Sequence, residues 1–421
     1  MKLCVIGAGA AGLSAIKNGV EHGCEVTCFE LSDKVGGLWN ITNQIGKDEN
    51  GVEVHSSMYY GLVTNLPIEL MCYPDLSFPV QKESYVASDE ILNYYQWYAE
   101  KFDLKKFVKF QNLVVRVRPL ADETWEVIAK DIKTGNFETY FFDAVLICSG
   151  HFHSSSTPKY EGQNIFKGKQ FHSHDYRKSD SLKDEKVLVV GGSFSGCDIV
   201  EQSAKFAKYV TWSHHLDEKP DQKYFADNVD QKSDIMKFTE NGVEFSDGTV
   251  GEFTVVIYCT GYNYSFPFLS VDSGISTEDG YVKPLYMHCL SIVKPSLGII
   301  GMLNLICPNQ LFDIQVRFCL AFMTGIKKLP SKQQMMLEYN ADMENRWNRG
   351  LSKKKAHYMG GEIQERYYID LAEKAGTNPI KPYISKMHAQ SLLNRKNDFG
   401  GFRKIKFEIL DDEHFKMIPI S

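Results

Sequence analysis

Two glycine-rich motifs hold the residues of this chain whose types and spacing point most clearly to chemistry. Gly7, Gly9 and Gly12 form a G-x-G-x-x-G pattern between an apolar stretch and a helical one. The first glycine permits a tight turn, the second lets the backbone approach a pyrophosphate, and the third allows close packing of helix on strand. Glu30 closes the next apolar stretch, where a ribose-binding acid belongs. The pattern therefore predicts a dinucleotide-binding site.

The second motif has a serine in place of the middle glycine. It reads Gly191-Gly192-Ser193-Phe194-Ser195-Gly196. The strand that follows ends in Ser213, His214 and His215, with no acid at its tip. Because an acid there would repel a 2′-phosphate, its absence favours NADPH over NADH. The usual arginine partner is missing too, and neutral histidine binds anions poorly, so His214 or His215 would give a less strict cofactor preference.

Three shorter segments accompany these motifs and are also predicted to contact cofactor. Gly36-Gly37-Leu38-Trp39 follows Glu30, and a simple nicotinamide dehydrogenase has no need of such an extension. Cys148-Ser149-Gly150 and Cys259-Thr260-Gly261-Tyr262 each close an apolar strand, where the chain would cross between nucleotide domains. The alternatives are an ordinary loop with a packed tryptophan and two ordinary strand-end turns.

The stretch "FKGKQFHSHDY", residues 166–176, is open to three interpretations. His172 and His174 could ligate a metal, His172 and Tyr176 could form an acid–base pair, or the segment could act as a hinge. No Cys/His/Asp cluster nearby completes a metal site, so no metal is predicted. The ten cysteines contain no C-x-x-C pair, which predicts buried free thiols in a reducing compartment.

The elements that must position these residues repeat along the chain. "KLCVIGAGAAGLSAIKNGVEHG" and "EKVLVVGGSFSGCDIVEQSAKFA" both read as strand, glycine turn and helix. A linker rich in Ser, Pro and Gly, "HFHSSSTPKYEGQN", separates them. Helices are predicted from Ser88 and over 310–325, 331–347 and 361–375. The fold class is therefore α/β, with two Rossmann-like dinucleotide-binding domains.

Composition describes an ordinary globular protein of 421 residues, with 43% hydrophobic and 24% charged residues. The net charge of −6 argues against nucleic-acid or anionic-membrane partners. The longest apolar run, 297–307, is too short to span a bilayer. Core-like sequence begins at the second residue, so no signal peptide is visible and a cytoplasmic location is predicted. A secreted protein whose signal peptide was removed is the alternative.

Together these segments resemble the flavin-containing monooxygenases, class B flavoenzymes that hold FAD and NADPH. The family fingerprint F-x-G-x-x-x-H-x-x-x-Y/F is filled by Phe166, Gly168, His172 and Tyr176. The resemblance extends to "GGLW" at 36–39, "TN" at 64–65, "GSFSG" at 192–196, "TGY" at 260–262 and "LYMH" at 285–288. It implies an NADPH domain, 156–282, inserted in an FAD domain, 1–155 and 283–421. The shortness of the chain is similar to compact members, including those of insects.

The resemblance also implies a chemistry. NADPH reduces FAD, and the reduced flavin traps O₂ as a C(4a)-hydroperoxyflavin that oxygenates a soft nitrogen or sulfur of a small xenobiotic or alkaloid, for example a tertiary amine. Thr64 and Asn65 match the family's "TN" motif, and the Asn65 amide would stabilise the oxygenating intermediate. Asn65 could instead cap its own turn. Gln315 would contact the isoalloxazine, or belong to an amphipathic core helix.

Several alternatives stay open at this point. An uncoupled NADPH oxidase that releases hydrogen peroxide and a Baeyer–Villiger oxygenase share the architecture. Tyr176-Arg177 differs from the tryptophan, followed by Pro or Asp, of the Baeyer–Villiger enzymes. A non-enzymatic dinucleotide-binding redox sensor is the rival of another class. The sequence leaves the oligomeric state and the choice between amine and thioether substrates open.

Overall fold

The computed structural model describes residues 1–216 and 218–420, except for the side chain of Glu362. The helices are α1 Ala10–Glu21, α2 Ser88–Lys101, α3 Phe194–Ser203, α4 Pro308–Met323, α5 Lys332–Asn348, α6 Gly361–Ala375 and α7 Pro382–Asn397. Acids in the first turn of α2 and a proline at the start of α4 suit helix N-termini. Within the described residues, no helix has the length and apolarity that crossing a bilayer requires.

The strands are short and numerous. They are β1 Lys2–Ile6, β2 Glu25–Phe29, β3 Val108–Lys109, β4 Asn112–Pro119, β5 Trp125–Asp131, β6 Phe137–Phe142, β7 Ala144–Ile147, β8 Lys169–His172, β9 Lys186–Val190, β10 Tyr209–Ser213, β11 Val229–Lys232, β12 Ile235–Phe238, β13 Gly242–Phe245, β14 Val250–Glu252, β15 Val255–Tyr258, β16 Leu285–Tyr286, β17 Leu290–Ser291, β18 Leu297–Ile299, β19 Ile405–Ile409 and β20 Phe415–Pro419.

The chain divides into two compact units. The first contains Met1–Trp39, Leu66–His151 and the described residues from Tyr264 onward; the second contains Asn40–Asn65 and Phe152–Asn263. Compared with the predicted ranges, 40–65 lies with the second unit and 264–282 with the first. The assignment of FAD to 1–155 and 283–421 and of NADPH to 156–282 stays a prediction.

The first unit is built on a seven-stranded sheet with the order β16-β17-β18-β7-β1-β2-β3. Strands β18, β7, β1, β2 and β3 run parallel, and β16 and β17 add an antiparallel edge. Leu3, Cys4, Val5 and Ile6 are buried on both faces, as expected for a parallel strand covered by other elements on each side. The unit also contains the antiparallel sheet β4-β5-β6 and the hairpin β19-β20.

The second unit has a parallel five-stranded sheet, β11-β10-β9-β15-β8, and an antiparallel three-stranded sheet, β12-β13-β14. In both units the glycine motif follows a central parallel strand, β1 or β9, and precedes a helix, α1 or α3. Each glycine turn therefore lies at the carboxyl edge of its sheet, where nucleotides bind in open α/β folds. The predicted α/β fold with two Rossmann-like units is confirmed.

Candidate active site

The first glycine turn is closed so tightly that side chains are excluded. Gly7 has a φ of +97°, and a Cβ added there would lie 2.7 Å from the Cys148 carbonyl oxygen. A Cβ on Gly12 would lie 1.8 Å from the Gly7 carbonyl oxygen. The turn thus brings the start of α1 directly against the end of β1, with β7 beside it. Gly150, with a φ of +72°, follows on the β7 side.

The "GGLW" segment folds back onto this turn. A Cβ on Gly37 would lie 2.9 Å from the Gly9 Cα, and the Gly36 amide donates to the Ala8 carbonyl over 3.1 Å. Residues 37–39 form a short 3₁₀ helix, and the Trp39 ring lies 6.4 Å from that of Tyr95. The predicted cofactor residues of the first glycine motif and of the "GGLW" segment are therefore adjacent in the first unit.

Glu30 links the tip of β2 to the same turn. Its carboxylate accepts from the Ala8 amide over 2.6 Å and from the amide and hydroxyl of Ser32 over 2.8 Å each. Burial raises the pKa of Glu30, while these donors oppose the rise. A carboxylate held in this way is rigid, and its remaining lone pairs could accept from ribose hydroxyls.

The residues of this turn fit a bound dinucleotide. Gly9 is the N-cap of α1 and has no side chain with which to cap it. The first-turn amides therefore lack a side-chain acceptor, and the positive end of the helix dipole favours a phosphate. Close backbone packing, an uncapped helix and a preorganised acid are the features that a dinucleotide requires at its pyrophosphate and ribose.

The second glycine turn repeats this geometry. Gly191 has a φ of +117°, and a Cβ added to Gly196 would lie 2.1 Å from the Gly191 carbonyl oxygen. Ser193 is the N-cap of α3, and its hydroxyl forms no capping hydrogen bond. The Trp212 indole in β10 donates to the Gly191 carbonyl over 2.9 Å, and this bond stabilises the turn. A serine in place of the middle glycine leaves this turn intact.

The side chains at the tip of β10 already have partners within the protein. The Ser213 hydroxyl donates to the Ser233 carbonyl over 2.8 Å. His214 is 1% exposed; its Nδ1 accepts from the Leu216 amide over 3.3 Å, and its Nε2 lies 3.0 Å from Gln231 Oε1. Burial lowers the pKa of His214, so the ring is neutral at physiological pH. Their contact with a 2′-phosphate stays a prediction, and it would require these bonds to be exchanged.

Sequence reasoning missed a cation beside this tip. Lys232 ends β11 and is the register partner of Ser213, and its carbonyl accepts from the His214 amide over 3.1 Å. Parallel pairing brings the two strand ends together. No spacing in the sequence links residue 232 to residue 213, so only the sheet register could have identified this lysine.

Two histidines of the stretch 166–176 lie beside Tyr262 of the "TGY" turn. The Tyr262 ring lies 5.1 Å from His172, 6.2 Å from His174 and 5.5 Å from Phe152. His172 Nδ1 accepts from the His174 amide over 3.1 Å, which stabilises the turn that follows β8. In the part of the chain that the structure describes, no three His, Cys, Asp or Glu side chains are grouped to hold a metal. The hinge role of His172 stays a prediction.

Acid is expected to destabilise the second unit through His172. Burial lowers the pKa of His172 from 6.5 to about 4. The neutral His172 ring therefore contributes at most about 3 kcal/mol to the free energy of unfolding. This contribution is complete above pH 6.5 and is lost as the pH falls through 4. His172→Asn keeps an acceptor for the His174 amide without titrating, so its melting temperature should fall less between pH 7 and pH 4. His215→Asn, on an exposed ring, is the control. Equal losses in all three proteins would contradict this role.

Gln315 is fully buried in α4. Its Oε1 accepts from the Gly301 amide over 2.9 Å, and its Nε2 donates to the Tyr367 hydroxyl over 2.8 Å. The Tyr367 hydroxyl in turn donates to the Met287 carbonyl over 2.7 Å. Each end of the amide has one protein partner, which fixes its orientation and leaves one N–H and one lone pair for a further contact. The isoalloxazine contact stays a prediction.

Thr64 and Asn65 end the segment 40–65, which belongs to the second unit. The Thr64 side chain is buried and that of Asn65 is half-buried. The segment forms isolated β-bridges but no regular helix or strand. Asn65 is thus presented by irregular backbone whose position depends on specific hydrogen bonds.

Two parallel sheets, each with an intact glycine turn, define a protein that binds two dinucleotides. Comparisons with known proteins narrow this class. A family model described as flavin-binding monooxygenase-like matches residues 1–218 and 215–411. Senecionine N-oxygenase of Tyria jacobaeae is 30% identical over 425 residues, covering 99% of this chain and 91% of the relative. Flavin-containing monooxygenase FMO GS-OX5 of Arabidopsis thaliana is 35% identical over 398 residues, covering 90% and 86%.

A solved structure agrees with these relatives. S-allyl-L-cysteine S-oxygenase of Allium sativum superimposes with a TM-score of 0.90 at 31% identity, covering 96% of this chain and 94% of that one. The chain belongs to the flavin-binding monooxygenase-like family. It is a flavin-containing monooxygenase that uses FAD, NADPH and O₂ to oxygenate nitrogen or sulfur in small molecules.

Proposed function

We propose that this enzyme oxygenates the nitrogen of small tertiary amines, and that thioethers are its second substrate class. The observation that carries the proposal is the presence of both dinucleotide turns, each closed by two glycines that lie against backbone, Gly7 and Gly12 in the first and Gly191 and Gly196 in the second. The 30% identity to a senecionine N-oxygenase over 99% of this chain supports the amine. The 31% identity to an S-allyl-L-cysteine S-oxygenase over 96% of this chain supports the thioether.

The residues divide the work between the two units in this proposal. The first glycine turn, "GGLW" and Glu30 hold FAD, and the second glycine turn holds NADPH. When bound and reduced by NADPH, FAD would supply the chemistry that transfers one atom of O₂ to the substrate and reduces the other to water. The chain itself needs no nucleophile or general base for this transfer.

Asn65 has the one direct role that we assign to a side chain in the reaction. Its amide can both donate and accept a hydrogen bond, so it can stabilise charge on oxygen without titrating. The site must also keep water away from the reacting oxygen. Excluding water matters because a reactive oxygen donor that meets water is lost as peroxide.

A matched set of six-membered rings tests the substrate class. N-methylpiperidine, thiane and cyclohexanone differ mainly in the atom that would be oxygenated. With the FAD-loaded enzyme we expect NADPH oxidation and an N-oxide from the amine, a sulfoxide from thiane, and no lactone from cyclohexanone. Product is measured against NADPH consumed and peroxide released. A lactone would favour a Baeyer–Villiger enzyme, and peroxide equal to NADPH with all three compounds would favour an oxidase.

A further inference from the structure

Arg177, directly after the fingerprint, is a buried cation whose guanidinium donates to four backbone carbonyls. It is 7% exposed. One terminal nitrogen donates to the carbonyls of His174 and Tyr176 over 2.6 and 3.0 Å. The other donates to the carbonyls of Gln44 and Ser56 over 2.8 and 3.0 Å. The fork of the guanidinium therefore joins two distant segments of the same unit.

Such a placement is expensive, which indicates a specific role. Burial lowers the pKa of Arg177, with only a partial opposing effect from the charge of Asp175. Asp175 lies 3.1 Å from the His174 ring and is not in a salt bridge with Arg177. The Arg177 Nε has no partner at all. A desolvated charge without a carboxylate is strongly unfavourable unless its hydrogen bonds are well formed. A planar five-donor fork can satisfy four carbonyls, whereas an ammonium cannot.

The segment that Arg177 binds is irregular and is held by individual contacts, among them the stacking of the His55 ring on that of His153. Residues 40–65 form no regular helix or strand, so the hydrogen bonds of a helix or sheet do not determine their position. Besides accepting its two hydrogen bonds, the segment donates one in return, from the Tyr60 amide to the Arg177 carbonyl over 2.8 Å. Residue 177 thus contacts the segment at Gln44, Ser56 and Tyr60, and the last of these is five residues before Asn65.

The same part of the segment is bonded to the helix of the second glycine turn. The Tyr59 hydroxyl donates to an Asp198 carboxylate oxygen in α3 over 3.0 Å, and its ring meets Tyr176 edge-on at 5.5 Å. The Tyr176 hydroxyl donates over 3.0 Å to the Gln202 side chain, which also lies in α3. Tyr59 therefore holds residues 56–60 against α3, and Arg177 binds the same stretch to the end of the fingerprint.

We propose that Arg177 is a positioning residue that holds the segment 40–65, and through it Asn65, in register with the second glycine turn. This inference rests on the role proposed above for Asn65. It assigns to the second unit a part in oxygen transfer as well as in NADPH binding. Loss of the fork would then uncouple NADPH oxidation from oxygenation without removing any group that touches substrate.

Arg177→Lys is the first test, because it keeps the charge but not the fork. We expect amide hydrogen exchange within residues 44–60 to speed up by about ten-fold or more, and product formed per NADPH to fall several-fold. Arg116→Lys, at an exposed arginine that pairs with the Glu126 carboxylate, is the matched control and should change neither. FAD content and melting temperature are measured alongside to show that the variants fold.

Chemical rescue and a double-mutant cycle make the test specific. In Arg177→Ala, millimolar guanidinium should restore both protection of 44–60 and coupling, and the same concentration of urea should not. In an Asn65→Ala background, Arg177→Lys should lower coupling no further, because the positioned group is already gone. Unchanged exchange in Arg177→Lys, or an equal further loss of coupling in the double variant, would overturn the inference. Full coupling in Asn65→Ala alone would instead refute the proposed role of Asn65, and the exchange data would still decide what Arg177 holds in place.

Discussion

Replacement of Asn65 by alanine is expected to leave FAD bound and to divert most NADPH oxidation to hydrogen peroxide. The Asn65 side chain is half-buried at the end of the irregular segment 40–65, so its loss should cost the fold little. A preorganised donor at a developing charge is worth about 100-fold or more in rate. We therefore expect product per NADPH to fall by at least about ten-fold, measured as N-oxide against NADPH and peroxide.

Two comparisons make this result interpretable. Asn65→Ser keeps a donor and an acceptor on a shorter side chain, and we expect it to be poorly coupled as well, because the hydroxyl does not reach as far as the amide. Asn50→Ala, on an exposed asparagine of the same segment, is the control and should stay coupled. Undiminished coupling in Asn65→Ala would show that the residue only caps its own turn.

Alanine at Gly12 and at Gly196 is expected to remove different cofactors. A Cβ at Gly12 would lie 1.8 Å from the Gly7 oxygen, and one at Gly196 would lie 2.1 Å from the Gly191 oxygen. Neither backbone can move without opening its turn, at a cost of about 3 kcal/mol or more, or over about 100-fold in affinity. Gly12→Ala should purify colourless. Gly196→Ala should stay yellow and be reduced by dithionite but not by NADPH.

This pair also tests which unit binds which cofactor. Gly23→Ala is the control: its φ of +73° strains an alanine, but no atom lies within 4 Å of the added Cβ. It should keep both cofactors, so that strain is separated from the clash. A colourless Gly196→Ala together with a yellow Gly12→Ala would reverse the assignment of the two units.

Much of the fold follows from local patterns. The predicted helices 310–325, 331–347 and 361–375 correspond to α4, α5 and α6, and the helix expected from Ser88 is α2. The helix α7 and the hairpin β19-β20 were missed. The α7 sequence has no clear apolar stripe, so its burial depends on what it packs against and not on its own periodicity.

Other side chains have partners that their motifs did not indicate. Gln315 appeared as a cofactor contact and is bonded to Gly301 and Tyr367. His214 appeared as a phosphate ligand and is bonded to Gln231 and Leu216. In each case the partner is a residue that no motif had singled out, and polar groups that become buried must find such partners.

By itself the sequence determined the two glycine turns and the class of cofactor, and its resemblance to the flavin-containing monooxygenases implied the chemistry. The turns are local, since a strand, a turn and a helix within about 30 residues specify a dinucleotide site. Only the tertiary structure decided that residues 40–65 belong with the second unit and that Arg177 binds them there. The reason is physical: Arg177 bonds to backbone carbonyls, which every residue carries, more than 100 positions away. Such an interaction leaves no pattern of side chains for the sequence to show.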